Sequence, residues 1–251
     1  MFVLNVYVFL MNAEQRNLKS LKAKVNITDQ SSRCAVILVS VNPQCVLAAI
    51  PVLRLYVVCS PGYGDSSGEP SEAGMTRDAL YLYQWVKTQN RGSLVCIWGH
   101  SLGSGVATNA AVKLQEQGSD ADALILEGPF TRIGDVVITH PVAKMYTFLP
   151  GFESLLWSIL ETNDLVFAND QNLKVLTSPL LILHSEDDNI VPYHMGQKLH
   201  QISLQTQKEQ NTDVHVEMVS YSAHLGFSHS SIYLDPNLSN VVRGFLQKLI
   251  Q

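Results

Sequence analysis

Charge is scarce in this chain. Its 251 residues carry 17 Lys and Arg against 22 Asp and Glu, a net charge of −5, with charged residues only 16% of the total. No Lys/Arg cluster exceeds two or three residues, so the electrostatic footprint of a nucleic-acid binder is missing and no nucleic-acid partner is expected. Cysteine is sparse as well. Cys34, Cys45, Cys59 and Cys96 fall at irregular spacing, mostly inside apolar runs, which argues against a disulfide framework or a zinc site and for reduced, buried thiols. There is no His-Glu-x-x-His, and Gly103-Ser-Gly105 is not followed by Gly-Lys-Ser/Thr; metal and phosphate-loop chemistry lose their usual signatures. Long apolar runs are also lacking. Met1–Met11 is apolar but about half the length that spans a bilayer, and it carries neither a basic leading region nor a small-residue cleavage site. It reads as an alternating edge strand rather than a signal peptide. No internal repeat or low-complexity segment is visible.

What is present is apolar and regularly punctuated. A hydrophobic content of 46% suits a packed globule, and a chain this long can bury roughly 75% of its unfolded surface. One domain over residues 1–251 is expected. Short apolar runs at Ala35–Val41, Leu55–Cys59, Leu94–Trp98, Ala123–Glu127, Leu180–His184 and Val214–Tyr221 predict strands. Helical periodicity marks Thr76–Lys87, Val106–Gln117 and Met195–Gln205, and a further helix is expected between Cys34 and Cys59. Such alternation predicts an α/β fold, a mostly parallel sheet with helices on both faces, whose site lies at the carboxyl ends of strands. The longest interval without strand signals runs from Thr131 to Ser178 and holds Met145, Tyr146, Phe148, Leu149, Phe152, Leu155, Leu156 and Trp157. Two readings of 131–178 stand: a helical cap insertion over the site, or a helical excursion packed on the core.

The chemistry is concentrated at residues 99–105, Gly-His-Ser-Leu-Gly-Ser-Gly, directly after the run Leu94–Trp98. Strand, sharp turn and small-residue helix form the context of a G-x-S-x-G nucleophile elbow. Ser101 is the candidate nucleophile. The backbone amide of Leu102, at the helix start, is the candidate oxyanion donor. His100 points away from the site in such an elbow and reads as structural.

A serine hydroxyl needs a base to take its proton and a third group to orient that base; the chain order Ser, acid, His is one solution. After Ser101, the strand Leu180–Leu183 ends in His184-Ser-Glu-Asp-Asp188-Asn-Ile-Val-Pro192. Asp187 and Asp188 both qualify as the acid, Glu186 less so, and at least one of them is expected to be a helix N-cap before Tyr193. The base must follow the last strand, where His224 lies nearer the strand end and His229 further on. His194, His200 and His215 sit within helix or strand patterns and read as surface or packing residues. No cofactor is called for.

From about Tyr56 to Ile250 the chain resembles the alpha/beta-hydrolase domain-containing protein 12 family. The likeness is carried by Gly62-Tyr-Gly-Asp-Ser-Ser-Gly-Glu-Pro70, Trp98–Asn109, Ala123–Thr131, Pro150-Gly-Phe152, Phe167-Ala-Asn-Asp170, Pro179–His184, Leu225-Gly-Phe-Ser-His229 and Ile232-Tyr233. The resemblance implies the alpha/beta-hydrolase fold and a serine ester hydrolase of the endoplasmic reticulum membrane, acting on monoacylglycerol or a lysophospholipid such as lysophosphatidylserine. It implies a triad at Ser101, Asp188 and His229, a lipid ester as substrate, and association with a membrane surface. Residues 1–50 depart from the family pattern: Ser40-Val41 stands where the family carries the His-Gly of its oxyanion turn, Asn42–Tyr56 is shorter, and Pro61 replaces an arginine. Losing one oxyanion donor costs roughly 10²–10³ in turnover. A catalytically impaired binding protein is therefore an alternative, and a protein acyl-thioesterase is another, since the same triad cleaves thioesters.

Overall fold

The computed structural model describes residues 34–39, 54–57, 71–89 and 92–250, with backbone alone for 34–39, 54–57, 141 and 142. The expected edge strand at Met1–Met11, the helix between Cys34 and Cys59, the turn at Ser40-Val41, Pro61 and the Gly62–Pro70 block lie outside the described residues.

Six strands form one sheet among the described residues: β1 (Cys34–Val39), β2 (Arg54–Val57), β3 (Leu94–His100), β4 (Ala123–Glu127), β5 (Leu180–Ser185) and β6 (Val216–Tyr221). Their order is β2-β1-β3-β4-β5-β6 and every pairing is parallel. The chain runs outward from β1 to β2 and returns to β3, so the strand order switches direction between β1 and β3. Ligand crevices open at such switch points, beyond the carboxyl ends of the strands.

The three central strands are apolar on both faces, and successive residues divide strictly between two cores. Val95, Ile97, Leu124, Leu126, Leu180 and Ile182 pack on one side, with α1 (Glu72–Gln89), α2 (Leu102–Glu116) and α7 (Tyr193–Glu209). Cys96, Trp98, Ala123, Ile125, Leu181 and Leu183 pack on the other, against Leu238, Val242, Phe245 and Leu246 of α8 (Leu238–Lys248). Parallel strands covered on both faces read as continuous apolar runs for this reason.

Several expected boundaries shift. β1, β2 and β5 end at Val39, Val57 and Ser185, and β6 begins at Val216. β3 runs on to His100 because Gly99 and His100 stay in register with Leu126 and Glu127. α1 and α7 each extend beyond their periodic cores. α2 begins at Leu102 rather than Val106: the chain enters the helix straight from the elbow. Gly105, a poor helix former elsewhere, is required there, since a Cβ on it would sit 2.7 Å from the Phe167 side chain. The helix α8 was not expected at all. Its Leu238, Val242, Phe245 and Leu246, at i, i+4, i+7 and i+8, are the face that fills the second core.

Residues 131–178 form α3 (Ile133–Thr139), α4 (Pro141–Lys144), α5 (Phe152–Thr162) and α6 (Asn169–Asn172). The inner part packs on the core through Ile133, Val136, Leu165 and Phe167. The outer part does not: Met145, Phe148, Leu155 and Ile159 are exposed.

Candidate active site

The elbow is built by strain and by missing side chains. Ser101 adopts φ 52° and ψ −120°, a conformation that non-glycine residues avoid, and holding it costs of order 1–3 kcal/mol. Its amide is fixed by the Glu127 carbonyl at 2.9 Å, and its own carbonyl accepts from the Ser104 amide at 2.8 Å. A Cβ on Gly99 would stand 2.4 Å from the Gly103 carbonyl oxygen. The missing side chain at Gly99 thus lets α2 fold back onto β3. Leu102 is the first residue of that helix, and its N–H belongs to a turn whose amides find no acceptor within the helix.

Ser101, His229 and Asp188 come together at the ends of β3, β6 and β5 although they are far apart in sequence. Ser101 Oγ lies 2.8 Å from His229 Nε2, and His229 Nδ1 lies 2.7 Å from Asp188 Oδ2. Ionised Asp188 accepts only, so Nδ1 donates and Nε2 is left to accept from the serine hydroxyl. The other carboxylate oxygen, Oδ1, takes the amides of Ile190 at 2.9 Å and Val191 at 2.8 Å. Burial alone would raise the Asp188 pKa. The hydrogen bonds from His184 and His229, the nearby His229 ring and the Val191 amide outweigh it and hold the carboxyl well below the usual carboxylate range. Gly128, at φ 55°, makes room: a Cβ there would press on the His229 ring and Asp188 Oδ2 at 3.2–3.4 Å.

The residues left open by the sequence separate clearly. Asp187 accepts from Ser185 Oγ and from the Ser228 amide at 3.0 Å, tying the acid loop to the histidine loop. Glu186 accepts from the Ala223 amide at 3.2 Å. His224 is exposed and turned to Ser222 Oγ. His100 is buried behind the elbow with Nε2 3.1 Å from the His229 carbonyl. It therefore braces the backbone of the histidine loop, and its burial lowers its pKa. His184 was not weighed from the sequence. It is fully buried, and its Nε2 lies 3.2 Å from Asp188 Oδ2. A histidine ending an apolar strand four residues before a candidate acid was the available signal.

A hydroxyl hydrogen-bonded to an imidazole that is itself held by a carboxylate is an arrangement that activates oxygen as a nucleophile. The comparisons agree with that chemistry. The family model described as Serine aminopeptidase, S33, matches residues 55–163. An alpha-beta hydrolase from Vibrio vulnificus superposes with a TM-score of 0.58 at 20% identity, covering 87% of this chain and 72% of that one. This is the alpha/beta-hydrolase fold. Lysophosphatidylserine lipase ABHD12 of Danio rerio is 44% identical over 186 residues, 74% of this chain and 48% of that protein. Protein ABHD12B of Homo sapiens is 44% identical over 187 residues, 74% of this chain and 50% of that protein. The chain spans about half the length of these curated relatives. The resemblance read from the sequence blocks holds.

Proposed function

We propose that the chain is a serine hydrolase cleaving carboxylic esters of lipids, monoacylglycerol or a lysophospholipid such as lysophosphatidylserine. The observation that carries this reading is the hydrogen-bonded chain from Ser101 through His229 to Asp188. Ser101 Oγ attacks the acyl carbonyl carbon as its proton passes to His229 Nε2. The Leu102 amide donates to the resulting oxyanion. Collapse breaks the ester C–O bond, and His229 returns the proton to the departing alcohol oxygen, leaving an acyl-serine. Water then attacks the acyl carbon, His229 takes its proton, and the fatty acid leaves as Ser101 is reprotonated. Asp188 keeps the imidazole in one tautomer throughout and stabilises the imidazolium.

The exposed Met145, Phe148, Leu155 and Ile159 support a cap that meets the lipid at a membrane surface, by family resemblance that of the endoplasmic reticulum. None of the described helices is long and apolar enough to cross a membrane. Fluorophosphonate labelling with mass-spectrometric mapping tests the reading. The modified residue is expected to be Ser101, with labelling abolished in Ser101→Ala; modification at Ser66 or Ser104 would overturn it. Turnover of lysophosphatidylserine beside monoacylglycerol then ranks the head groups.

A further inference from the structure

One buried histidine next to the candidate triad is not used by the mechanism above. His184 is the penultimate residue of β5 and is fully buried. Its Nε2 faces two acceptors, the Val191 carbonyl at 3.0 Å and Asp188 Oδ2 at 3.2 Å. Neither carries a proton, so Nε2 must, and the tautomer follows from the partners. The opposite nitrogen, Nδ1, is buried without a hydrogen-bond partner. The backbone of α7 lies against that side of the ring: a Cβ on Gly196 would stand 2.3 Å from Nδ1. Tyr193 packs edge-on to the ring at 5.6 Å between centroids. The ring is therefore clamped with its N–H aimed at the loop that carries the acid.

Asp188 is thus shared in an ordered way. Oδ1 is taken by the Ile190 and Val191 amides, and Oδ2 is divided between His229 Nδ1 and His184 Nε2. We propose that His184 is a positioning residue for the reaction: its N–H fixes the carboxylate plane and draws charge from the oxygen that holds His229, setting the basicity of the general base. This rests on the triad reading of Ser101, Asp188 and His229. With the His184 donor removed, Oδ2 would keep more of its charge facing His229, so the imidazolium would be favoured and would persist to higher pH. The other groups facing the pair are Ser101 and His100, whose ring is 5.1 Å from that of His229. Beyond them, Glu127 is felt at His100, and Asp187 holds the Ser228 amide beside His229.

The test is the pH profile of p-nitrophenyl butyrate hydrolysis by the full 251-residue chain, with fluorophosphonate labelling of Ser101 measured on the same samples. His184→Leu removes the donor. His184→Gln keeps an N–H near the position of Nε2. The leucine variant is expected to shift the acid limb of kcat/KM upward by about half to one pH unit and lower kcat about tenfold, with KM little changed. The glutamine variant is expected to restore most of both. Should His184→Leu fail to fold, Gly196→Ala displaces the same ring while keeping the imidazole, and its acid limb is expected to move in the same direction.

A merely structural role, satisfying the Val191 carbonyl, would lower Tm and leave the limb in place. An unmoved or downward-shifted limb in a folded variant overturns the inference while labelling at Ser101 leaves the triad reading standing. A wild-type chain that does not label at Ser101 overturns both.

Discussion

The loops at the strand ends and the helical stretch from residue 140 to 162 hold their side chains in opposite ways. At the strand ends, Asp188 alone takes two amides and two imidazole nitrogens, and Asp187 bridges the acid loop to Ser228. In the helical stretch, α5 buries no residue fully, and Phe148, Met145 and Leu155 are 77%, 68% and 61% exposed. The first region is preorganised by directional bonds in a water-poor setting, where a misplaced donor is costly. The second presents apolar surface with no fixed partner. On the proposed function, chemistry and substrate contact fall to parts of the chain with different physical demands, and mutations should respond accordingly.

The largest effects belong to the strand-end loops. Ser101→Ala or His229→Ala should lower kcat for a soluble ester by about 10⁴–10⁶, while His224→Ala, on an exposed turn, should cost less than about threefold. The same size of loss in His224→Ala would erase the contrast between the two histidines.

Asp188→Asn should cost about 10³–10⁴ in kcat, because an amide has one acceptor oxygen where the carboxylate uses two. With its oxygen toward the imidazoles its NH2 would face the Ile190 and Val191 amides, and in the reverse orientation His229 loses its tautomer restraint. Asp187→Asn should cost far less. A pH effect on stability accompanies it. The Asp188 carboxyl is held below its unfolded pKa in the fold, so its contribution is present above about pH 4 and is lost as pH falls toward the folded value. Wild type should therefore be more stable than Asp188→Asn at pH 7, and the two denaturation midpoints should converge on acidification. Parallel midpoints from pH 7 to pH 3 would show that the buried carboxylate is not the source.

How much of this was visible beforehand depends on whether the information is local. Leu94–Trp98, Ala123–Glu127 and Leu180–Leu183 read as strands because burial on both faces demands an unbroken apolar run. The elbow read equally well, since its whole pattern, Gly99, Ser101 and Gly103, falls within five residues directly after a strand. The choice between Asp187 and Asp188 was not local. It is made by the turn closed by the Asp188 amide on the Ser185 carbonyl, which sends one carboxylate to Ser228 and the other to His229. His184 was legible only in part: the sequence places it at the end of an apolar strand four residues before a candidate acid, but only the approach of α7 shows where its nitrogen points.

Asn169 lies in α6, past the helical stretch, and its substitution tests how firmly the chain returning from that stretch is anchored to α2 and to the chain just after β4. Its amide nitrogen donates to the Phe130 carbonyl at 2.8 Å and to Ser104 Oγ at 3.0 Å, and its oxygen accepts from Thr108 Oγ1 at 2.6 Å. Asn169→Ala leaves three buried polar groups with a lost partner and should destabilise by about 2–4 kcal/mol in chemical denaturation. A loss below about 1 kcal/mol would mean that the segment is held by its other anchors, Glu72, which accepts the Val166 and Phe167 amides at 2.7 and 2.9 Å, and the Arg132–Asp170 ion pair.

The smallest expected effect is the most selective. Phe148 is 77% exposed and lies between α4 and α5, so Phe148→Ser removes almost no buried surface and should leave Tm within about 1 °C. Its ring carries apolar area that would leave water if the outer helices rested on a lipid surface, a gain on the order of 1–1.5 kcal/mol for one aromatic side chain. Turnover of p-nitrophenyl butyrate in solution should then be unchanged. Turnover of lysophosphatidylserine presented in phosphatidylcholine vesicles should fall about tenfold at low vesicle concentration, and the loss should shrink as vesicles approach saturation. Equal rates on both presentations at every vesicle concentration would show that the exposed apolar side chains do no work at the lipid surface. An equal loss on both would place Phe148 in the acyl pocket instead, against its exposure.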